Sequence, residues 1–168
     1  MASLGTRRAR ILVLLALITL AITACDRGAS ELDGWRASDQ GTDLWLEARS
    51  GPEGEDVLAM LYTMSTGTEY VIEREGPPPM RDGRPAVTLR ARSTRTLYLT
   101  LALVDSSGQA YECSRILAPG EWRTLDFEQF SGDPGDGLDI VTMRLIDRTA
   151  LLGSQGPVSL KLVGLPSQ

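Results

Sequence analysis

The residues able to do chemistry in this chain are carboxylates, arginines, a few aromatic rings and two cysteines; histidine is absent from all 168 positions. Without imidazole there is no Ser-His-Asp or Cys-His nucleophile, no imidazole general base and no common zinc ligand set. Carboxylate chemistry survives. Asp105 with Glu112 or Asp126 could supply the acid and nucleophile of glycoside hydrolysis, which needs two carboxyls at a set separation. All three fall at turn or strand edges where acids are ordinarily solvated, so no catalytic pair is marked out and no enzyme is expected. Asp133, Asp136 and Asp139 recur every third residue in a glycine-rich loop and could gather oxygen ligands for a hard cation. Their spacing matches no EF-hand loop and reads as a solvated turn. No metal or other cofactor is expected.

Arginine and tyrosine offer planar donors and a flat ring, the groups that recognise polyols and acidic sugars. The candidate ligand-binding set is Tyr98 and Thr100 on one strand, Arg90 and Arg92 on the preceding one, Thr142 and Arg144 on a later one, and Tyr62 beside them. These positions are expected on the face opposite a stripe of leucines; the alternative is a solvated face whose charges discourage edge pairing. Trp122 could stack on a sugar ring, but a lone tryptophan opening a strand beside a leucine stripe is expected in the core. Cys113 reads as a small buried strand residue, and otherwise as the partner of an intermolecular disulfide or a reactive thiol.

The elements that must position these residues are strands. Leu97, Leu99, Leu101 and Leu103 recur at every second residue, which puts them on one side of a strand. Turn residues 105–108 follow, then a return strand over 110–117, a turn at Pro119-Gly120, and a strand over 122–127. Two or three of these are expected as antiparallel neighbours. Upstream, Trp35 and Trp45 bracket a first strand pair, Leu58, Met60, Tyr62 and Met64 share one face of a strand over 57–64, and 70–74 is another. Pro77, Pro78 and Pro79, with Asp82-Gly83 and Pro85, forbid regular structure until Ala86. Val87, Leu89 and Ala91 then oppose Thr88, Arg90 and Arg92, and strands over 140–146 and 158–165 close the chain. Seventeen glycines, nine prolines and roughly nine strands at short spacing predict an all-β fold, a two-sheet antiparallel β-sandwich.

A strand ending in Asp105, a Ser-Ser-Gly turn, a return strand bearing Tyr111, then Pro119-Gly120-Glu121-Trp122 and an aromatic-bearing strand to Phe130 resemble the galactose-binding-like jelly rolls, which include several carbohydrate-binding modules. The resemblance implies a jelly roll over most of residues 35–165, with Trp122 and Phe130 as packing positions. Many members hold a structural calcium through an acid in the last strand. The corresponding run, Val158-Ser159-Leu160-Lys161-Leu162-Val163, has no acid, so those ligands are not carried over.

Residues 6–10 form a basic n-region, residues 11–21 an apolar run, and Ile22-Thr23-Ala24-Cys25 closes the leader. Eleven residues make about 16 Å of helix, short of a hydrocarbon core of about 30 Å, so this is a signal and not a span. The closing tetrapeptide resembles the bacterial lipobox, which implies that Cys25 becomes the lipidated mature N-terminus. Asp26 resembles the residue that retains lipoproteins in the inner membrane. The expected organisation is a signal peptide over 1–24, a lipidated cysteine and short tether over 25–34, and a single sandwich domain over 35–168.

Three of the 17 basic residues lie in the leader, leaving 14 against 22 acids, a formal charge of about −8 that makes nucleic acid an unfavourable partner. The expected partners are a bacterial membrane, through the anchor, and a polysaccharide or an envelope protein. The expected function is non-catalytic binding on the exported side of that membrane, with glycan first among ligands and an assembly-subunit role as the alternative.

Overall fold

Leu97, Leu99, Leu101 and Leu103 are fully buried along one face of a nine-residue strand, β9 (Leu97–Asp105), at the centre of the core. The computed structural model describes residues 31, 32, 34–38, 43–132 and 140–165. Cys25, Asp26 and the acids Asp133, Asp136 and Asp139 lie outside the described residues.

Ahead of β9 come β1 (Glu31–Leu32), β2 (Trp35–Ala37), β3 (Leu44–Ser50), β4 (Asp56–Met64), β5 (Tyr70–Glu75), β6 (Met80–Arg81), β7 (Arg84–Pro85) and β8 (Val87–Ser93). After it come β10 (Ala110–Leu117), β11 (Arg123–Phe127), β12 (Ile140–Asp147), a single 3-10 turn (Thr149–Leu152) and β13 (Gly156–Val163). Nine of these strands have five residues or more. A six-stranded sheet in the order β1-β2-β5-β12-β9-β10 faces a five-stranded sheet in the order β11-β8-β13-β4-β3, with every pairing antiparallel. The molecule is an all-β sandwich.

Alternation builds the core from both sheets. Leu44 and Leu46, Leu58 and Met60, Val87 and Leu89, and Leu160 and Leu162 come from the five-stranded sheet. The β9 leucines, Ile72, Met143, Leu145 and Cys113 face them from the other. Each fully buried leucine contributes about 1.5–3 kcal/mol. The tight turn after β9 is set by Asp105, whose carboxylate accepts from Ser107 N, Ser107 Oγ and Gln109 N, while Gly108 takes the positive φ that closes it. The same hydrogen bonds, that from Ser107 Oγ foremost, hold the Asp105 carboxyl below the usual range.

Three local expectations change. Trp35 and Trp45 do not bracket a strand pair, because β2 lies in one sheet and β3 in the other. The proline-rich stretch carries a miniature hairpin, β6 on β7, turned by Asp82 and Gly83, both at positive φ as a type I′ turn requires. Glu31 and Leu32, within the segment read as tether, add a short edge strand to β2.

Candidate functional site

The seven candidate positions do not share a surface. β8 and β9 follow one another in sequence with only Thr94, Arg95 and Thr96 between them, yet they belong to opposite sheets. The link is held in the crossing position by Thr94 N to Ser159 O and by Arg95 N to Ser93 Oγ. Arg90 and Arg92 therefore face outward from the five-stranded sheet. Tyr98, Thr142 and Arg144 face outward from the six-stranded one.

Two further candidates are not surface groups. Tyr62 has the parity of Leu58 and Met60 and is buried, its ring stacked on Tyr70 with centroids 4.4 Å apart. Its hydroxyl donates to Oδ2 of Asp147, a fully buried carboxyl whose Oδ1 accepts from Thr149 N and Oγ1. Burial, followed by the Asp147 charge, pushes the Tyr62 phenol well above its ordinary pKa. Thr100 is also fully buried although it points outward, and its hydroxyl bonds Ser114 Oγ at 2.9 Å.

Ion pairs cover the outer face of the six-stranded sheet. Glu73, on β5, bridges Arg36 at 3.2 Å and Arg144 at 3.0 Å, so the candidate Arg144 is already compensated. Arg148 reaches Glu69 at 2.8 Å and grips Glu112 on β10 through two bonds of 2.7 Å, so its side chain crosses β9. Thr100, Ala102 and Ile146 lie buried on this face. The hydrogen bonds from Arg148 hold the Glu112 carboxyl below its usual range. Glu112 is thus engaged, Asp105 caps its own turn, and Asp126 accepts from Thr88, its direct neighbour within the five-stranded sheet. These three acids form no facing pair.

The outer face of the five-stranded sheet is different. Trp45 on β3, at one edge of the sheet, is 40 % exposed. Trp122, immediately before the opposite edge strand β11, is half-buried and outside the core cluster, with the Arg90 guanidinium 5.8 Å from its ring centroid. The expectation of a core Trp122 is corrected: Leu125 and Phe127 point inward, and an odd offset from them points outward. Five strands at about 4.8 Å set the two tryptophans roughly 19 Å apart across the sheet. Residues of β3, β8 and β13 (Arg49, Arg92, Thr94 just beyond β8, Ser159 and Lys161) line an open groove of about 520 Å³ on this face, walled by Pro119 and Gly120 of the β10–β11 loop; neither tryptophan is in its lining. Gly120, at φ 102°, bends that loop so that its N–H reaches Ser93 O. A second open groove, of about 560 Å³, sits at the β6–β7 hairpin, where Arg81 is ion-paired with Glu128.

No protein-family model and no curated protein matches the chain. Solved structures do. The family 11 carbohydrate-binding module of the cellulosomal cellulase Lic26A-Cel5E of Clostridium thermocellum is similar at a TM-score of 0.54 and 14 % identity over 82 % of this chain and 92 % of that one. The same organism's family 11 module in complex with a β-1,3-1,4-mixed-linked tetrasaccharide follows at 0.52, 14 % identity, 82 % of this chain and 93 % of that one. The agarase AgWH50C gives 0.53 at 14 % identity, over 86 % of this chain and 24 % of that enzyme. The fold is that of the carbohydrate-binding-module jelly rolls. In this jelly roll the last strand, β13, carries no acid, and among the described residues no cluster of three acids or cysteines is placed to hold a metal. Adding calcium should leave the melting temperature unchanged, and a rise of several degrees in a thermal melt would show a site that these strands do not supply.

Trp45 and Lys161 are outward-facing residues of the five-stranded sheet that the candidate set did not include. Both were signalled by alternation, Trp45 between Leu44 and Leu46 and Lys161 between Leu160 and Leu162.

Proposed function

We propose that this chain is a lipid-anchored, non-catalytic glycan-binding protein of the bacterial cell envelope, and that it binds through the outer face of the five-stranded sheet. The observation that supports this reading is the pair of tryptophans at opposite edges of one sheet, Trp45 exposed and Trp122 half-buried beside the outward Arg90, on the face that also carries an open polar groove. Aromatic faces and planar guanidinium donors on a preformed sheet suit stacked sugar rings, and a preformed site spends little free energy on ordering. The fold likeness to carbohydrate-binding modules is consistent with it. In affinity electrophoresis the detergent-solubilised protein should be retarded by at least one polymer from a panel of envelope and plant polysaccharides. No retardation by any of them would sink the reading.

A protein-docking role has one observation in its favour. Ile116, Leu151 and Leu152 are exposed at the same end of the sandwich, where Ile116 pairs with Tyr98 and Tyr98 N is bonded to Thr149 Oγ1. Failure on the glycan panel, with a partner cross-linked through Ile116 or Leu152, would favour this assembly-subunit role.

The anchoring part of this proposal is supported by the resemblance of Ile22-Thr23-Ala24-Cys25 to the lipobox. Among the described residues no helix is long and apolar enough to cross a membrane. Acylation with two or more chains gives stable attachment where one does not. Cys25→Ala should move the protein out of the membrane fraction and abolish acyl labelling; retention in that fraction would contradict a lipid anchor. Asp26 points to the inner membrane as the final location, which separation of the two membranes would test.

A further inference from the structure

Lys161 is the chain's single lysine, and it lies in the open groove of the five-stranded sheet directly across from Arg92 in the β13–β8 pairing. Like charges directly opposite in an antiparallel pair repel, with Cβ atoms about 5 Å apart. The same row runs Glu47, Ala59, Lys161, Arg92 across β3, β4, β13 and β8. Ala59 separates the only acid of that row from the lysine, and Glu47 is taken by Arg49 at 2.5 Å. Arg90, one step along β8, is taken by Glu53 through bonds of 3.2 and 3.3 Å. Neither Lys161 nor Arg92 has an ion-pair partner among the described residues.

The groove lining therefore carries Arg49, Arg92 and Lys161 and no acid, on a domain whose overall charge is negative. On the opposite face, Arg36, Arg144 and Arg148 are all held by glutamates. Two uncompensated cations facing each other in mid-sheet cost stability that an anionic ligand would recover.

From this juxtaposition of Lys161 and Arg92 between Trp45 and Trp122 we infer that the groove takes a polyanionic polysaccharide, whose carboxylate or sulfate groups lie over the two cations while sugar rings contact the tryptophans. This inference rests on the glycan-binding reading and adds the charge class of the ligand. Arg92 offers a planar fork to a carboxylate or sulfate, and Lys161 a compact point charge. Attraction at this exposed site is screened by salt, over about 8 Å at 0.15 M and about 3 Å at 1 M, so binding should weaken as salt is added.

The test uses the full chain in detergent with four polymers: polygalacturonate for carboxylate, dextran sulfate for sulfate, and mixed-linkage β-glucan and agarose as neutral controls. The expected result is retention by at least one anionic polymer in preference to both neutral ones. Arg92→Gln combined with Lys161→Gln should weaken that retention by about tenfold, without lowering the melting temperature, since the change removes a repulsion. Lys161→Arg should retain binding. Because the lysine is unique, its acylation can be followed by mass spectrometry, and an anionic polymer at ten times its Kd should slow it about tenfold. Preferential binding of a neutral polymer, with Arg92→Gln and Lys161→Gln without effect, would overturn the charge assignment and leave the glycan reading standing. Retention by none of the four, together with failure across the wider panel, would overturn both.

Discussion

Replacing Asp147 with alanine should destabilise the domain by about 3–5 kcal/mol, the largest single effect expected of any polar side chain here. The carboxyl is fully buried and takes hydrogen bonds from Tyr62 Oη, Thr149 N and Thr149 Oγ1, so its loss strands donors from both sheets in an apolar core. Each orphaned donor costs about 1–3 kcal/mol, and the vacated volume adds to that. The network extends to the strand bearing the leucine stripe, because Tyr98 N donates to Thr149 Oγ1 and Arg148 N to Tyr98 O. For a domain of this size the melting temperature should fall by roughly 10–15 °C. Asp147→Asn keeps the shape and one acceptor and should cost less. A loss below about 1 kcal/mol in chemical denaturation would mean that the network does not tie the sheets together.

The same network gives stability an alkaline limit. Burial and Asp147 raise the Tyr62 pKa above its unfolded value, so the neutral phenol's contribution is fully present below about pH 10 and is lost as pH climbs toward the raised folded value. Tyr62→Phe should be less stable at neutral pH by about 1–3 kcal/mol and should lose less on raising the pH beyond 10.

The second large effect is on binding. Trp45→Ala with Trp122→Ala should weaken glycan binding by about a hundredfold or more, since aromatic anchors at a binding surface are worth about 2 kcal/mol each. The cost to folding should be small. Trp45 is exposed, and Trp122 is half-buried with the Arg90 guanidinium over its ring, so each substitution should cost about 1–2 kcal/mol, against the roughly 3–5 of a fully buried tryptophan. The two readouts separate the roles. A Trp122→Ala protein destabilised by 3 kcal/mol or more would return that ring to the core.

Local pattern made the strands legible. The alternation of Leu97 to Leu103, the Asp105–Gly108 turn and the β10 return strand all follow from residues adjacent in sequence, and β8 shows its in-and-out pattern as cleanly. The sheet to which each strand belongs was not legible. Arg92 and Tyr98 are six residues apart, and only the long-range pairings of β8 with β13 and of β9 with β12 send them to opposite faces. Parity, already visible for Tyr62 beside Leu58, Met60 and Met64, carried information that the candidate set did not use. Tyr62 shares the phase of Leu58 and Met60, which marks it as interior, and Trp122 is out of phase with Leu125 and Phe127, which marks it as exterior. Thr100 could not be read this way, because its burial on an outward face depends on cover that the sequence does not bring next to it: Ser114 on β10, and Arg148 reaching over β9 to Glu112.

The most direct test is a calorimetric titration of one retained polysaccharide against variants of the two outer faces. If the five-stranded sheet carries the site, Trp45→Ala with Trp122→Ala should abolish measurable heat while Tyr98→Ala with Arg144→Ala leaves Kd within about threefold, a change of less than about 1 kcal/mol. The reverse pattern, binding lost from the Tyr98 and Arg144 face and kept without the tryptophans, would contradict the account.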